Sequence, residues 1–239
     1  MNLVLDIGNT RIKAAIFEQK KLVQYKVFNN TESLSDDSEF YAKARNVIIS
    51  SVVELPPDEL PFIKQFDNVI HFSSHTKIPI KNLYKTSSTL GSDRLAAAVG
   101  ANRICSNKNV LSVDTGTCLK FNFVNENNEY LGGAISPGLQ MRLKALNYYT
   151  GKLPLVTLNE SFHELIGTST SDSILSGVIN GIILETDGVI NEYKKHYPDL
   201  TILVSGGDTA FFVNRLKNCI FAHPHLVLQG LNEVLIYNS

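Results

Sequence analysis

The chain has 239 residues, 44% hydrophobic and 19% charged, enough to bury a sizeable core in one large or two small domains. Its formal net charge of −1 argues against nucleic acid as a partner, because a general hold on phosphate needs clustered Lys and Arg. Cys105, Cys118 and Cys219 are odd in number and lack metal-ligand spacing, so they read as reduced thiols of a cytoplasmic protein. In chain order, strands are expected at 3–7, 12–17 and 21–28, joined too tightly for helical crossovers and therefore forming a β-meander. A helix is expected over 32–45, a buried strand over 46–53, a short helix after the Pro57/Pro61 region, and a strand over 68–73. The Ala-rich stretch 92–105 reads as a helix with Ser92 as its N-cap. The pattern then restarts with three strands within 109–136, followed by a helix from about 139 to 148 after Pro137-Gly138. A long helix over 170–197, its glycines expected to permit close packing, precedes a strand at 201–207 and helices at 208–217 and 227–237. The restart places a boundary near residue 105, giving domains 1–105 and 106–239. The N-terminus lacks the basic start and long apolar core of a signal peptide, and no apolar run approaches about 20 residues, so no membrane partner is expected.

The motif that carries most information occurs twice. LVLDIGNTRIKAAIF (3–17) and VLSVDTGTCLKFNFV (110–124) each place an apolar run, an Asp-x-Gly-(x)-Thr turn and a second apolar run in series. A strand, a Gly/Thr turn and a returning strand can clamp a phosphate. Glycine lets the backbone approach closely, and successive amides with Thr or Asn side chains form an anion-binding concavity. Asp6 cannot itself welcome a phosphate; its sensible role is to hold Mg²⁺ through water, with Lys13 balancing phosphate charge. Asp114 would hold a cation and Thr117 would donate to a phosphate in the second copy. A plain tight turn would use many of the same residues. Two copies suggest a nucleotide held in a cleft between two similar half-chains. Gly91-Ser92-Asp93-Arg94 opens the Ala-rich helix: Arg94 could bind a carboxylate bidentately and Asp93 could accept a hydroxyl proton. A favourable Asp in a helix's first turn is the simpler explanation of that segment alone. Ser205-Gly206-Gly207-Asp208 would let an adenine ring lie against backbone.

Taken in order, DIGNT (6–10), GSDR (91–94), DTGT (114–117), GGAISPGLQM (132–141), Leu153-Pro154, GTSTSDSILSG (167–177), SGGD (205–208) and LVLQGL (226–231) resemble the type III pantothenate kinases. These belong to the actin/sugar-kinase/Hsp70-like ATPase superfamily. The resemblance implies an α/β fold of two ribonuclease-H-like domains, each a mixed sheet with a β-meander and flanking helices. It implies ATP-dependent phosphorylation of pantothenate, the first step of coenzyme A biosynthesis. By the same resemblance, Asp93 is the proton acceptor, and Tyr84, Gly91, Ser92, Asp93, Arg94 and Thr170 bind pantothenate. Asp6, Ile7, Gly8, Asn9, Thr10, Arg11, Ile12, Lys13 and Thr117 bind ATP with Mg²⁺. Asp114 holds a monovalent cation, K⁺ or NH4⁺, and the protein is a homodimer whose pantothenate pocket is completed across the interface.

The chain departs from the family where Thr and Asp usually follow the second loop: Lys120 and Asn122 stand there. One carboxylate is lost and one ammonium gained; either Lys120 replaces the monovalent cation in part or whole, or it points to solvent from the strand and changes nothing. Two alternatives stay open: a non-catalytic accessory or regulatory relative of the same fold, or another small-molecule kinase of the superfamily. Retention of Asp6, Asp93, Arg94, Asp114 and Thr117 argues against lost chemistry, and GSDR with Tyr84 favours pantothenate.

Overall fold

The computed structural model describes residues 1–8, 10–53 and 60–239; Asn9 and Pro57 lie outside the described residues. In chain order the elements are β1 (Asn2–Ile7), β2 (Ile12–Glu18), β3 (Lys21–Phe28), α1 (Thr31–Asp36), α2 (Ser38–Tyr41), β4 (Asn46–Ser51), β5 (Asn68–His71), β6 (Lys81–Asn82), α3 (Ser92–Ile104), β7 (Val110–Thr115), β8 (Cys118–Val124), β9 (Glu129–Pro137), α4 (Leu139–Tyr148), α5 (Thr170–His196), β10 (Thr201–Ser205), α6 (Thr209–Val213), β11 (Phe221–Ala222) and α7 (Leu226–Tyr237). The chain divides into two compact units: 1–107 with 124–131 and 225–239, and 108–123 with 132–224.

The first unit is built on a sheet of order β3-β2-β1-β4-β5. Strand β1 pairs antiparallel with β2 and parallel with β4, so it is central. Alternation sends Leu3, Leu5 and Ile7 to one face, where Leu34, Phe40, Tyr41 and Phe66 complete a buried cluster. The opposite face is covered by α3 and α7, which pack on each other and on β4 and β1. The two helices meet at glycines: a Cβ on Gly230 would lie 1.9 Å from the Ala96 carbonyl oxygen, and one on Gly100 would lie 2.4 Å from that of Leu226. This face also carries a buried amide chain. Asn46 donates to Asn2 (3.0 Å), Asn2 to Asn232 (2.9 Å), and Asn232 to the Gln19 carbonyl (2.8 Å).

The helix expected over 32–45 is split into α1 and α2. Asp37 leaves helical geometry (φ −88°, ψ 58°), and its carboxylate reaches Lys26 on β3 at 2.6 Å. The short helix near Pro61 is a 3₁₀ turn over Pro61–Gln65, with the proline among its first residues. Ser92 is not the N-cap of α3. Gly91 holds that position without a side-chain cap, and Ser92 accepts from the Ser50 hydroxyl at 3.0 Å instead.

The second sheet has order β11-β10-β7-β8-β9-β6, in which β10 pairs parallel with both β7 and β11. Two residues join β7 to β8, which forces an antiparallel hairpin. Strand β6 pairs with Glu129 and Tyr130, which belong with it to the first unit. In the second unit Leu111, Val113, Leu119 and Phe121 pack with Leu139 and Leu143 of α4 and Ile174, Val178, Ile182 and Ile190 of α5. Ser169 caps α5, accepting from the Asp172 amide at 3.1 Å, and Lys194, Lys195 and His196 sit in its last turn, complementing the helix dipole.

Helix α5 corrects two expectations. A Cβ at Gly177, Gly181 or Gly188 meets nothing within 4 Å, so these glycines permit no close packing within this chain. Its 27 residues are also long and apolar enough, by length and composition, to cross a membrane, although no such run was apparent from the sequence. Half of that apolar stretch is buried inside the protein, which makes α5 a core helix. Helix α6 ends at Val213, shorter than expected, with Asn214 as its C-cap, and the chain beyond it is anchored at 217–218. There the amides of Lys217 and Asn218 donate to the buried Asp187 carboxylate of α5.

Candidate functional site

In the first unit the strand register gathers the first loop and the GSDR segment. Asp6 lies directly opposite Lys13 on β2 and beside Ser50 on β4. Paired residues across a sheet point to the same face, with Cβ atoms about 5 Å apart. Lys13, Asp6 and Ser50 therefore form one row, on the face that α3 covers. Ser50 is fully buried, and its hydroxyl bond to Ser92 ties this row to the start of α3. The loop itself is closed by the Gly8 amide, which donates to the Arg11 carbonyl at 3.1 Å. Thr10 and Arg11 are exposed, whereas Ile7 and Ile12 are 3% exposed and face the core. Any phosphate contact from those two isoleucines must come from main chain. Asn9 is outside the described residues.

At the start of α3, Asp93 Oδ1 accepts from the Arg94 amide at 2.8 Å and lies over Gly91, where a Cβ would be 2.7 Å from it. An acid in the first turn also suits the helix dipole. Arg94 is 5% exposed, and its guanidinium carbon lies 5.5 Å from the centre of the Tyr84 ring. Tyr84 stacks on the fully buried Tyr130 (6.1 Å between centres, 20° between planes). Strand β6 fixes this stack, because the Leu83 amide donates to the Tyr130 carbonyl at 2.9 Å. Tyr84 and Arg94 are thus neighbours.

In the second unit, Asp114 is the penultimate residue of β7 and Lys120 follows on β8, with Lys120 Nζ 2.9 Å from Asp114 Oδ2. Both side chains are mostly buried, at 18% and 15% exposure. Thr117 is exposed at the hairpin tip, and its carbonyl accepts from the Gly138 amide at 3.1 Å. The SGGD turn sits against the end of β7. The Asp208 amide donates to the Thr115 carbonyl at 3.0 Å. Gly206 has φ +100°, and a Cβ there would be 2.3 Å from the Thr115 carbonyl oxygen and 2.6 Å from Asp114 Oδ1. Burial first, then the charges of Glu160 and Asp114, hold the Asp208 carboxyl above its usual value. Thr170 is exposed at the first position of α5.

Sequence reasoning missed Ser50, Tyr130 and Asp208. Ser50 becomes visible only once β1 and β4 are known to be parallel and in register. Tyr130 gave no signal beyond a strand aromatic. Asp208 stood in a motif already noticed, and only its closeness to Asp114 and Glu160 singles it out.

The family of type III pantothenate kinases matches residues 2–192. A type III pantothenate kinase from Flavobacterium johnsoniae is 41% identical over 242 residues, covering 99% of this chain and 98% of its own. The chain belongs to the type III pantothenate kinase family. Among solved structures, a conserved Campylobacter jejuni protein described as a Baf family transcriptional activator superposes with TM-score 0.65 at 22% identity, over 99% of this chain and 98% of its own. A ROK family glucokinase from Streptomyces griseus, in complex with glucose and AMPPNP, gives TM-score 0.55 at 12% identity over 99% of each chain. At such identities these two establish the fold, the mixed α/β architecture of the actin-like ATPases.

Proposed function

We propose that this chain transfers the γ-phosphoryl group of ATP to the primary hydroxyl of pantothenate, as membership of its family implies, in the first step toward coenzyme A. The observation that carries the reading is the row Lys13–Asp6–Ser50, joined to GSDR through Ser50 and Ser92. It sets a charge-balancing lysine and a carboxylate beside the segment expected to hold the acceptor. Phosphoryl transfer depends mainly on such positioning and charge neutralisation. In this reading the exposed turns around Thr10 and Thr117 donate to the phosphates. Gly207, beside which a Cβ would find open space, leaves backbone free for adenine. Arg94, steadied by Tyr84, pairs with the pantothenate carboxylate, and Asp93 takes the hydroxyl proton.

The donor chemistry of Asp6 fits Mg²⁺, a hard cation that keeps much of its water and binds through few carboxylates. When bound, the ion neutralises phosphate charge. The residues around Asp114 do not fit a further monovalent cation in the same way, because an ammonium already stands 2.9 Å from its Oδ2. Lys120 therefore replaces that ion, and turnover needs no added potassium. Exposed Tyr148, Tyr149, Leu165, Ile166 and Leu184 in the second unit support a homodimer. The cytoplasm is the compartment in keeping with an odd number of cysteines that read as reduced thiols. Coupled detection of ADP with ATP, Mg²⁺ and a panel of acceptors tests the reading: pantothenate alone should support turnover, and preference for a hexose would overturn it.

A further inference from the structure

The first unit contains a polar cavity, of about 370 Å³, at the opposite end of α3 from GSDR. Asn102, on its wall, lies eight residues beyond Arg94, roughly 12 Å along the helix. The rest of the lining includes Lys20 from the β2–β3 turn, Val99 and Arg103 of α3, Ser106, and Glu233 of α7. None of these belongs to the proposed kinase site.

Three buried polar atoms on this wall have no hydrogen-bond partner: Asn102 Oδ1, Arg103 Nε and Glu233 Oε2. Asn102 is only 9% exposed. Arg103 Nε and Glu233 Oε2 are 3.2 Å apart, an ion contact whose alignment makes no hydrogen bond. Glu233 Oε1 meets Lys20 Nζ at 3.0 Å, and an Arg103 terminal nitrogen donates to the Lys20 carbonyl at 3.2 Å, so the charged groups are held in place. Unsatisfied buried polar atoms are costly, and native proteins carry few of them. Three around one cavity define what would complete it. Asn102 Oδ1 needs a donor, whereas Arg103 Nε and Glu233 Oε2 already share each other's charge and lack only an aligned hydrogen bond, which a ligand acceptor and donor would supply. Two cations against one carboxylate leave the wall with a net positive charge, which favours an anionic acceptor.

We propose that this cavity binds a small amino-carboxylate zwitterion, its ammonium toward Asn102 Oδ1 and Glu233 and its carboxylate toward Arg103 and Lys20. Such a ligand supplies the missing donors and acceptor together, and its side chain would lie on Val99. The site is independent of the phosphoryl-transfer reading and would stand if that reading failed.

The test is a thermal-shift titration of the intact chain with individual amino acids at millimolar concentration, with the corresponding amines, simple carboxylates and inorganic phosphate as separate arms. At least one amino acid should raise Tm saturably, by about 3–6 °C at ten times its Kd. Asn102→Leu should abolish that shift while leaving pantothenate-dependent turnover in place. Lys20→Ala, at a largely exposed side chain that does not threaten folding, should weaken the ligand and shift its titration to higher concentration. The proposal is overturned by the absence of any amino-acid shift, by an equal shift with phosphate or a simple carboxylate, or by shifts unchanged in both variants.

Discussion

Replacing Lys120 with Met removes an ammonium 2.9 Å from Asp114 Oδ2 while keeping much of the side chain's volume. Exposed ion pairs contribute about 0–1 kcal/mol, whereas deleting one partner of a fully buried pair costs about 3–5 kcal/mol. With side chains 18% and 15% exposed, this pair lies between those regimes. The expected loss is therefore about 1–3 kcal/mol. For a chain of this size that lowers Tm by about 2–12 °C. Asp208 makes the loss larger, because its carboxyl already feels Asp114 and Glu160, and Lys120 is what offsets Asp114. If Lys120 also stands in for a cation at the phosphates, the rate falls by about 10²–10³, the usual effect of losing one electrostatic stabiliser. Potassium or ammonium should then restore part of both quantities in the variant and change neither in the wild type. Asp114→Asn combined with Lys120→Met should recover most of the stability, since no unpaired carboxylate remains. Differential scanning calorimetry and a potassium titration of turnover measure these effects. A Lys120→Met protein matching wild type in Tm and in potassium-free rate would refute the reasoning, as would strong potassium activation of the wild type.

Three further outcomes are expected. Gly230→Ala places a Cβ 1.9 Å from the Ala96 carbonyl oxygen, forcing α7 away from α3; overpacking of this kind costs about 1–3 kcal/mol, read as a fall in Tm. An unchanged Tm would mean that the helix crossing is looser than its geometry indicates. Burial, then the charge of Lys13, holds His225 below its ordinary value of 6.5, so its contribution to stability is present above that value and lost as pH falls through the folded value. His225→Gln should accordingly lose less Tm than wild type between about pH 7.5 and pH 5.5, and equal losses would remove His225 from the acid response. Asp93→Asn should keep ATP binding by calorimetry yet lower the rate by about 10²–10⁴, the range of general base assistance. A rate near wild type would end the assignment of Asp93 as base.

Much of this was legible in the sequence for identifiable reasons. The meander β1–β3 and the hairpin β7–β8 followed from turns too short for any crossover, and α4 from a Pro-Gly break followed by helical residues. The pairing of Lys120 with Asp114 was not legible, because the turn between β7 and β8 breaks the alternation count that would have linked them. What the sequence hid depended on contacts distant in the chain. Asp37 breaks a helix because Lys26 draws its carboxylate to β3, and Ser92 gives up capping because Ser50 lies within reach. The glycines of α5 looked like packing positions, but no neighbour approaches them. The Tyr130–Tyr84–Arg94 stack exists only because β6, a two-residue strand with no periodic signal, pairs with the start of β9.

The most direct measurement is ADP release by the purified chain with ATP and Mg²⁺, with and without pantothenate, in potassium-free buffer, alongside Asp93→Asn. The account predicts release that depends on pantothenate, needs no potassium, and collapses in the variant. ADP release indifferent to pantothenate, or none from a folded protein with or without potassium, would contradict it.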